Sequence, residues 1–263
     1  MRVRFIGLFI LLSVFICSGS AVASPTIEGS LADWNMGFAP DWYPPNDWVP
    51  SDPNISYELD PDSGWYLGPG YGGQPFDAEA MYAFYSTPDG YLYVAVVTGM
   101  PPTGSTNDGT RYMPGDIAID FGQDESYEIG VGVPTTETTG GTSNVILNPD
   151  WTNPTFTQFI DDSAPVSMVG GTGTDTGSDA QIAYNNNYYG SYHYVIELAI
   201  PIASFGDLWG DPFTIHWTMD CGNDVLDLKV SSPPVVPEPS TALLFGVGLI
   251  GLALNRVRRL IPA

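Results

Sequence analysis

The sequence predicts an all-β protein, an antiparallel β-sandwich of jelly-roll kind, held between an N-terminal signal peptide and a single C-terminal transmembrane helix. Three observations predict it. Between residues 24 and 236 no stretch keeps a helical apolar period, while short runs rich in Val, Ile, Tyr and Phe recur. Turn residues separate those runs, drawn from 30 Gly and 24 Pro, and many short strands so punctuated define sandwiches and jelly rolls. Both ends of the chain are instead apolar segments with basic flanks, Arg2 and Arg4 at one, Arg256, Arg258 and Arg259 at the other.

Residues 1–23 read as the signal peptide, with two arginines, an apolar run from Phe5 to Ile16 and Ala21-Val22-Ala23 as the cleavage site. Cys17 follows Phe15 and Ile16, not the small residues that precede a lipoprotein cysteine, so no lipid is expected there. The sandwich domain is placed at residues 24–230. Its first hairpin joins Met81–Ser86 to Tyr91–Thr98 through Thr87-Pro88-Asp89-Gly90, where Gly90 takes a positive φ. Asp116–Phe121 alternates, burying Ile117, Ile119 and Phe121 and leaving Asp116 and Asp120 on the other face. Tyr127–Val133, Gln181–Tyr184, Tyr192–Pro201 and Phe213–Asp220 follow as strands, the last with Phe213, Ile215, Trp217 and Met219 inward. Pro134–Ser143 and Gly170–Ser178, rich in Gly, Thr and Ser, read as mobile loops. Residues 231–236 read as an extended spacer.

Charge excludes whole classes of partner. Of 30 acidic residues only Glu238 lies in the tail, so the body sets 29 against Arg111 and Lys229, a formal charge of −27. Nucleic acid and anionic membrane surfaces are thereby ruled out as partners. The same surplus favours a hard divalent cation, calcium over zinc. The mature chain keeps one cysteine, Cys221, which rules out an intramolecular disulfide and is expected to be buried.

Two acidic turns are candidate calcium ligands: Asp77 and Glu79 beside a Gly-rich stretch, and the partial D-x-D-x-G loop Asp60-Pro61-Asp62-Ser63-Gly64. Asp60 and Asp62 are read in preference as solvated turn residues, and the patch Asp116, Asp120, Asp124 and Glu125 is equally consistent with a solvated face. For ligand binding, Asp33–Pro50 carries Trp34, Phe38, Trp42, Tyr43 and Trp48. Trp42 and Trp48 are candidates to stack on sugar rings, the alternative being that Trp34 is core and the others plug an otherwise polyproline-like loop. Catalytic signals are thin. The two histidines, His193 and His216, fall on presumed polar strand faces, and neither a nucleophile elbow nor a zinc or phosphate motif is present. Carboxylate pairs suited to glycoside hydrolysis are uninformative among so many acids. The expectation is a non-enzymatic protein.

At the C-terminus, Pro237-Glu238-Pro239 precedes the apolar run Ala242–Leu254 and the cluster Arg256, Arg258 and Arg259. As a helix that run covers roughly 20 Å, a marginal span of a core about 30 Å thick, extended by snorkelling arginines that stay cytoplasmic. The arrangement at residues 237–260 resembles the PEP-CTERM sorting signal. The resemblance implies recognition by an exosortase of a Gram-negative bacterium, cleavage near Pro-Glu-Pro after transient inner-membrane anchoring, and delivery to the cell surface or extracellular matrix. A second likeness lies in Ile27–Asn35 (IEGSLADWN), which resembles the opening strand of family 9 carbohydrate-binding modules and DOMON-like sandwiches. It implies a carbohydrate-binding fold with calcium sites. Gly68–Tyr82 and Met219–Val225 look like blocks of uncharacterised PEP-CTERM surface proteins. The expected function is a structural or adhesive surface protein that binds exopolysaccharide or a surface glycan. The alternatives are a calcium-stabilised matrix protein without a glycan site, or a polysaccharide hydrolase or lyase.

Overall fold

A computed structural model describes residues 24–34, 49–60, 72–185 and 193–231. Twelve strands form among them: β1 (Ser56–Leu59), β2 (Ala78–Ser86), β3 (Tyr91–Thr98), β4 (Ser105–Asn107), β5 (Thr110–Tyr112), β6 (Ile117–Phe121), β7 (Ile129–Val131), β8 (Thr138–Leu147), β9 (Thr174–Asn185), β10 (Tyr194–Pro201), β11 (Phe213–Thr218) and β12 (Val225–Val230). Ten of them make one sheet in the order β1-β2-β3-β10-β9-β8-β7-β6-β11-β12, and each neighbouring pair is antiparallel. β4 and β5 form a separate hairpin. The last strand, β12, lies against β1 and β2, so the sheet curls until its edges nearly meet.

The all-β expectation is met, but two stacked sheets are replaced by one nearly closed sheet. Twist accumulates from strand to strand, and a ten-stranded sheet that rolls up buries one face while shielding its edges. That inner face is the main core, where Met81, Leu92, Val94, Ile117, Ile119, Ile196, Phe213, Ile215 and Trp217 meet.

A second apolar layer covers the outside of β2, β3 and β10. Leu31, Trp34 and Ile55 pack there on Ala80, Tyr82, Phe84, Tyr93, Ala95, Val97, Val195 and Ala199. These three strands are therefore buried on both faces, which is why Tyr91–Thr98 reads as a continuous apolar run instead of alternating. The covering segment is not a strand, contrary to the expectation for Ile27–Asn35: residues 27–34 make bends and a turn closed by Trp34 N–H on the Leu31 carbonyl at 3.1 Å.

The two expected loops are also corrected. Residues 138–143 belong to β8 and residues 174–178 to β9, and the two strands pair along most of their length. Thr suits a pleated surface, and the exposed Thr, Ser and Asp side chains face solvent while the backbones satisfy each other. The pairing slips twice, between Thr138 and Gly141 and between Asn144 and Ile146.

Candidate functional site

The register of β2 against β3 shifts between Ala78 and Ala80. Glu79 is the extra residue, so Ala78 enters the inner core while Ala80, two positions on, enters the outer layer. Such a bulge re-aims a side chain, and here it turns the 5%-exposed Glu79 carboxylate toward its neighbours. Just before it, the 3-10 turn Gln74–Phe76 folds tightly over the end of β3. Gly99 permits the approach, since a Cβ there would lie 1.6 Å from the Gln74 carbonyl oxygen. The Asp77 carbonyl accepts from Gly99 N–H at 2.9 Å and from the Thr98 hydroxyl at 2.6 Å.

Three carboxylates and one imidazole gather at this point. Gln74 Nε2 donates to Glu79 Oε1 at 2.7 Å, and His193 Nε2 lies 3.1 Å from the same oxygen. Asp224, 2% exposed, reaches across from the β11–β12 turn and accepts Ala78 N–H at 2.6 Å and Val225 N–H at 2.9 Å. Asp77 hydrogen-bonds Glu79 through its carboxyl group, while its Oδ1 is buried without a hydrogen-bond partner. Burial, reinforced by the charges of Glu79, Asp224 and Asp60, pushes Asp77 up to about 9. Burial likewise pushes Asp224 up to about 8, against the pull of Ala78 N–H. Residues 72–82 of the first passage and Met219–Val225 are thus joined here through Ala78 and Asp224.

Of the expected calcium ligands, Asp77 and Glu79 do converge, and Asp224 is the member that sequence reading missed. Asp60 is close enough to raise both Asp77 and Asp224, and its N–H donates to the Glu79 carbonyl at 3.0 Å. Asp62 lies outside the described residues, as do Trp42 and Trp48.

The second acidic patch divides. Asp116 is a structural pin, accepting Val133 N–H at 2.8 Å and Met168 N–H at 2.9 Å. Asp120, Asp124 and Glu128, by contrast, bring carboxylate oxygens within 4.8 Å of one another. Most of these oxygens already accept backbone N–H groups: Asp120 from Asp124 and Glu125, Asp124 from Ser126, and Glu128 from Phe121.

Neither histidine sits on a polar face: His193 is 4% and His216 1% exposed. His216 is held between Asp227 Oδ1 and the Pro165 carbonyl, 2.8 Å from each. Cys221 is buried, as expected, and burial pushes its thiol up to about 11.

A further carboxylate was legible only as part of a strand. Glu197 on β10 is fully buried under the outer layer. Its Oε2 accepts the N–H groups of Glu28, Gly29 and Ser30 at 2.9, 2.8 and 3.3 Å, and its Oε1 accepts Trp34 Nε1–H at 2.8 Å. This one side chain ties the N-terminal segment to the sheet.

Beyond the β body, residues 235–259 match the family model of the PEP-CTERM protein-sorting motif. The chain therefore carries the signal of exported, exosortase-sorted surface proteins, and Pro237, Glu238, Pro239, Arg256, Arg258 and Arg259 fall within the matched stretch. No curated protein and no solved structure matches the chain. Among the described residues no helix is long and apolar enough to cross a membrane, and the segment 242–254 lies outside them.

Proposed function

We propose that this exosortase-sorted protein is a structural and adhesive, non-enzymatic surface module that binds a matrix or surface glycan and is steadied by calcium at Asp77, Glu79 and Asp224. The observation that carries the calcium part is the buried, unpartnered Oδ1 of Asp77 beside two other buried carboxylates. Hard oxygen ligands shielded from water suit calcium, and a divalent cation would remove their mutual repulsion. Asp120, Asp124 and Glu128, whose oxygens lie closer together, are a second position for a cation. Variants separate the two, since Asp77→Asn would abolish binding at the first and Asp124→Asn at the second.

The glycan part rests on the sorting signal for the cell surface and on Trp42 and Trp48 in an aromatic, proline-rich stretch. The test is capture of native matrix polysaccharide by the immobilised processed protein. Capture that is lost with chelator and restored by calcium is the expected result. No capture under either condition would leave a calcium-steadied structural protein, and release of new reducing ends would point to a hydrolase.

A further inference from the structure

Phe76 and Asp77 are adjacent, and so are Asn223 and Asp224. The first member of each pair faces away from the acidic site into a cleft of about 210 Å³. Phe76 and Tyr112 form its inner aromatic wall, packed edge to face at 5.8 Å between ring centroids. Phe156, 38% exposed, stands at the mouth, its ring 5.8 Å from Tyr112 and tilted by 33°. Three amide side chains complete the lining: Asn223 is buried, whereas Asn107 at the end of β4 and Gln158 on the 3-10 turn Thr157–Phe159 are exposed at the rim. The Cys221 thiol closes the floor and donates to Asn223 Oδ1, which holds that amide in place.

We infer that this cleft binds one uncharged sugar ring of a polysaccharide, an inference that rests on the glycan reading above. The lining decides the chemistry. Aromatic faces suit the C–H surface of a pyranose, and the exposed amides of Asn107 and Gln158 offer both a donor and an acceptor to vicinal hydroxyls. Among the described residues no carboxylate, lysine or arginine lines the cleft, so none of them compensates a uronate or sulfate there. The −27 charge of the body repels such groups as well. The volume lies below the roughly 300–1,000 Å³ typical of drug-sized sites, which fits a single ring held within a longer chain. The two sites share backbone, since Phe76 precedes Asp77 and Asn223 precedes Asp224.

The experiment is affinity electrophoresis of the processed protein through gels containing neutral polymers (a β-glucan, a mannan, a dextran) or polygalacturonate. Retardation by a neutral polymer and not by polygalacturonate is expected. Phe156→Ala and Gln158→Ala, both at exposed positions, should each weaken it about tenfold while the response of the melting temperature to calcium stays unchanged. If both variants bind a neutral polymer as the parent does, the cleft inference fails while glycan binding survives, and loss in Trp42→Ala or Trp48→Ala would then place the site there. If polygalacturonate alone retards the parent, the cleft inference fails and glycan binding survives; if no polymer retards it, both readings fail together.

Discussion

Glu197 shows what one buried side chain can organise. It satisfies four donors from residues 28–34, the nearest of them 163 positions away in sequence. Replacing it with Ala would leave the Trp34 indole and three backbone N–H groups without an acceptor beneath an apolar layer. At 1–3 kcal/mol for each unsatisfied buried donor, Glu197→Ala is expected to cost about 3 kcal/mol or more. Urea unfolding would read this; a loss below about 0.5 kcal/mol would mean that the N-terminal segment is not held as described. Sequence alone showed Glu197 as an acid inside an apolar strand and, on one of two readings, Trp34 as a core residue, but nothing local joined them. Asp77 and Glu79 were legible because a Gly-rich turn sits beside them. Asp224 was not, because its role is set by a register that brings together residues 146 positions apart.

Elements were legible where apolar pattern decided them. Tyr91–Thr98 keeps its expected bounds, and the inward set Phe213, Ile215, Trp217 and Met219 is wholly buried. Pattern failed for β8 and β9, whose Thr, Gly and Ser look like loop and form strands only because each supplies the other's backbone partners. β12 was overlooked although it alternates, Leu226, Leu228 and Val230 inward against Asp227 and Lys229 outward. The β4–β5 hairpin was overlooked too, although Asp108 and Gly109 both take positive φ at its turn. The element that matters most for the site is the turn Gln74–Phe76, whose seat on β3 depends on Gly99. A Gly99→Ala change forces a Cβ into the Gln74 carbonyl and must lift the turn. The expected outcome is faster amide exchange at residues 74–79 and loss of the calcium response, with the rest of the sheet protected. Unchanged exchange and an intact calcium response would contradict this account of the site.

At the scale of the whole molecule, an acidic β body is joined to a sorting tail that was the most legible part of the chain, because its signal is contiguous. The closure of the sheet was not legible, since no local residue encodes the contact of β12 with β1 and β2. Buried acids set how the body responds to pH. Burial raises Glu197 to about 7, Asp224 to about 8 and Asp77 to about 9, above unfolded values of 4.5, 3.8 and 3.8. Each raised group binds its proton more tightly when folded, so the folded state holds more protons across that window. Stability of the metal-free body therefore falls as pH rises from about 4 to 9. Calcium acts in the opposite sense, because its ligands must be deprotonated and binding releases their protons. Cation binding by the buried acids is tested most directly by thermal unfolding of residues 24–236 at pH 5 and pH 8, each with calcium and with chelator. At 100 times its dissociation constant, a ligand adds about 2.7 kcal/mol, or roughly 5–10 °C in a domain of this size. The predicted result is a rise of that order with calcium at pH 8, a smaller one at pH 5, and a chelated protein that melts lower at pH 8 than at pH 5. A melting temperature indifferent to calcium at pH 8 would contradict it.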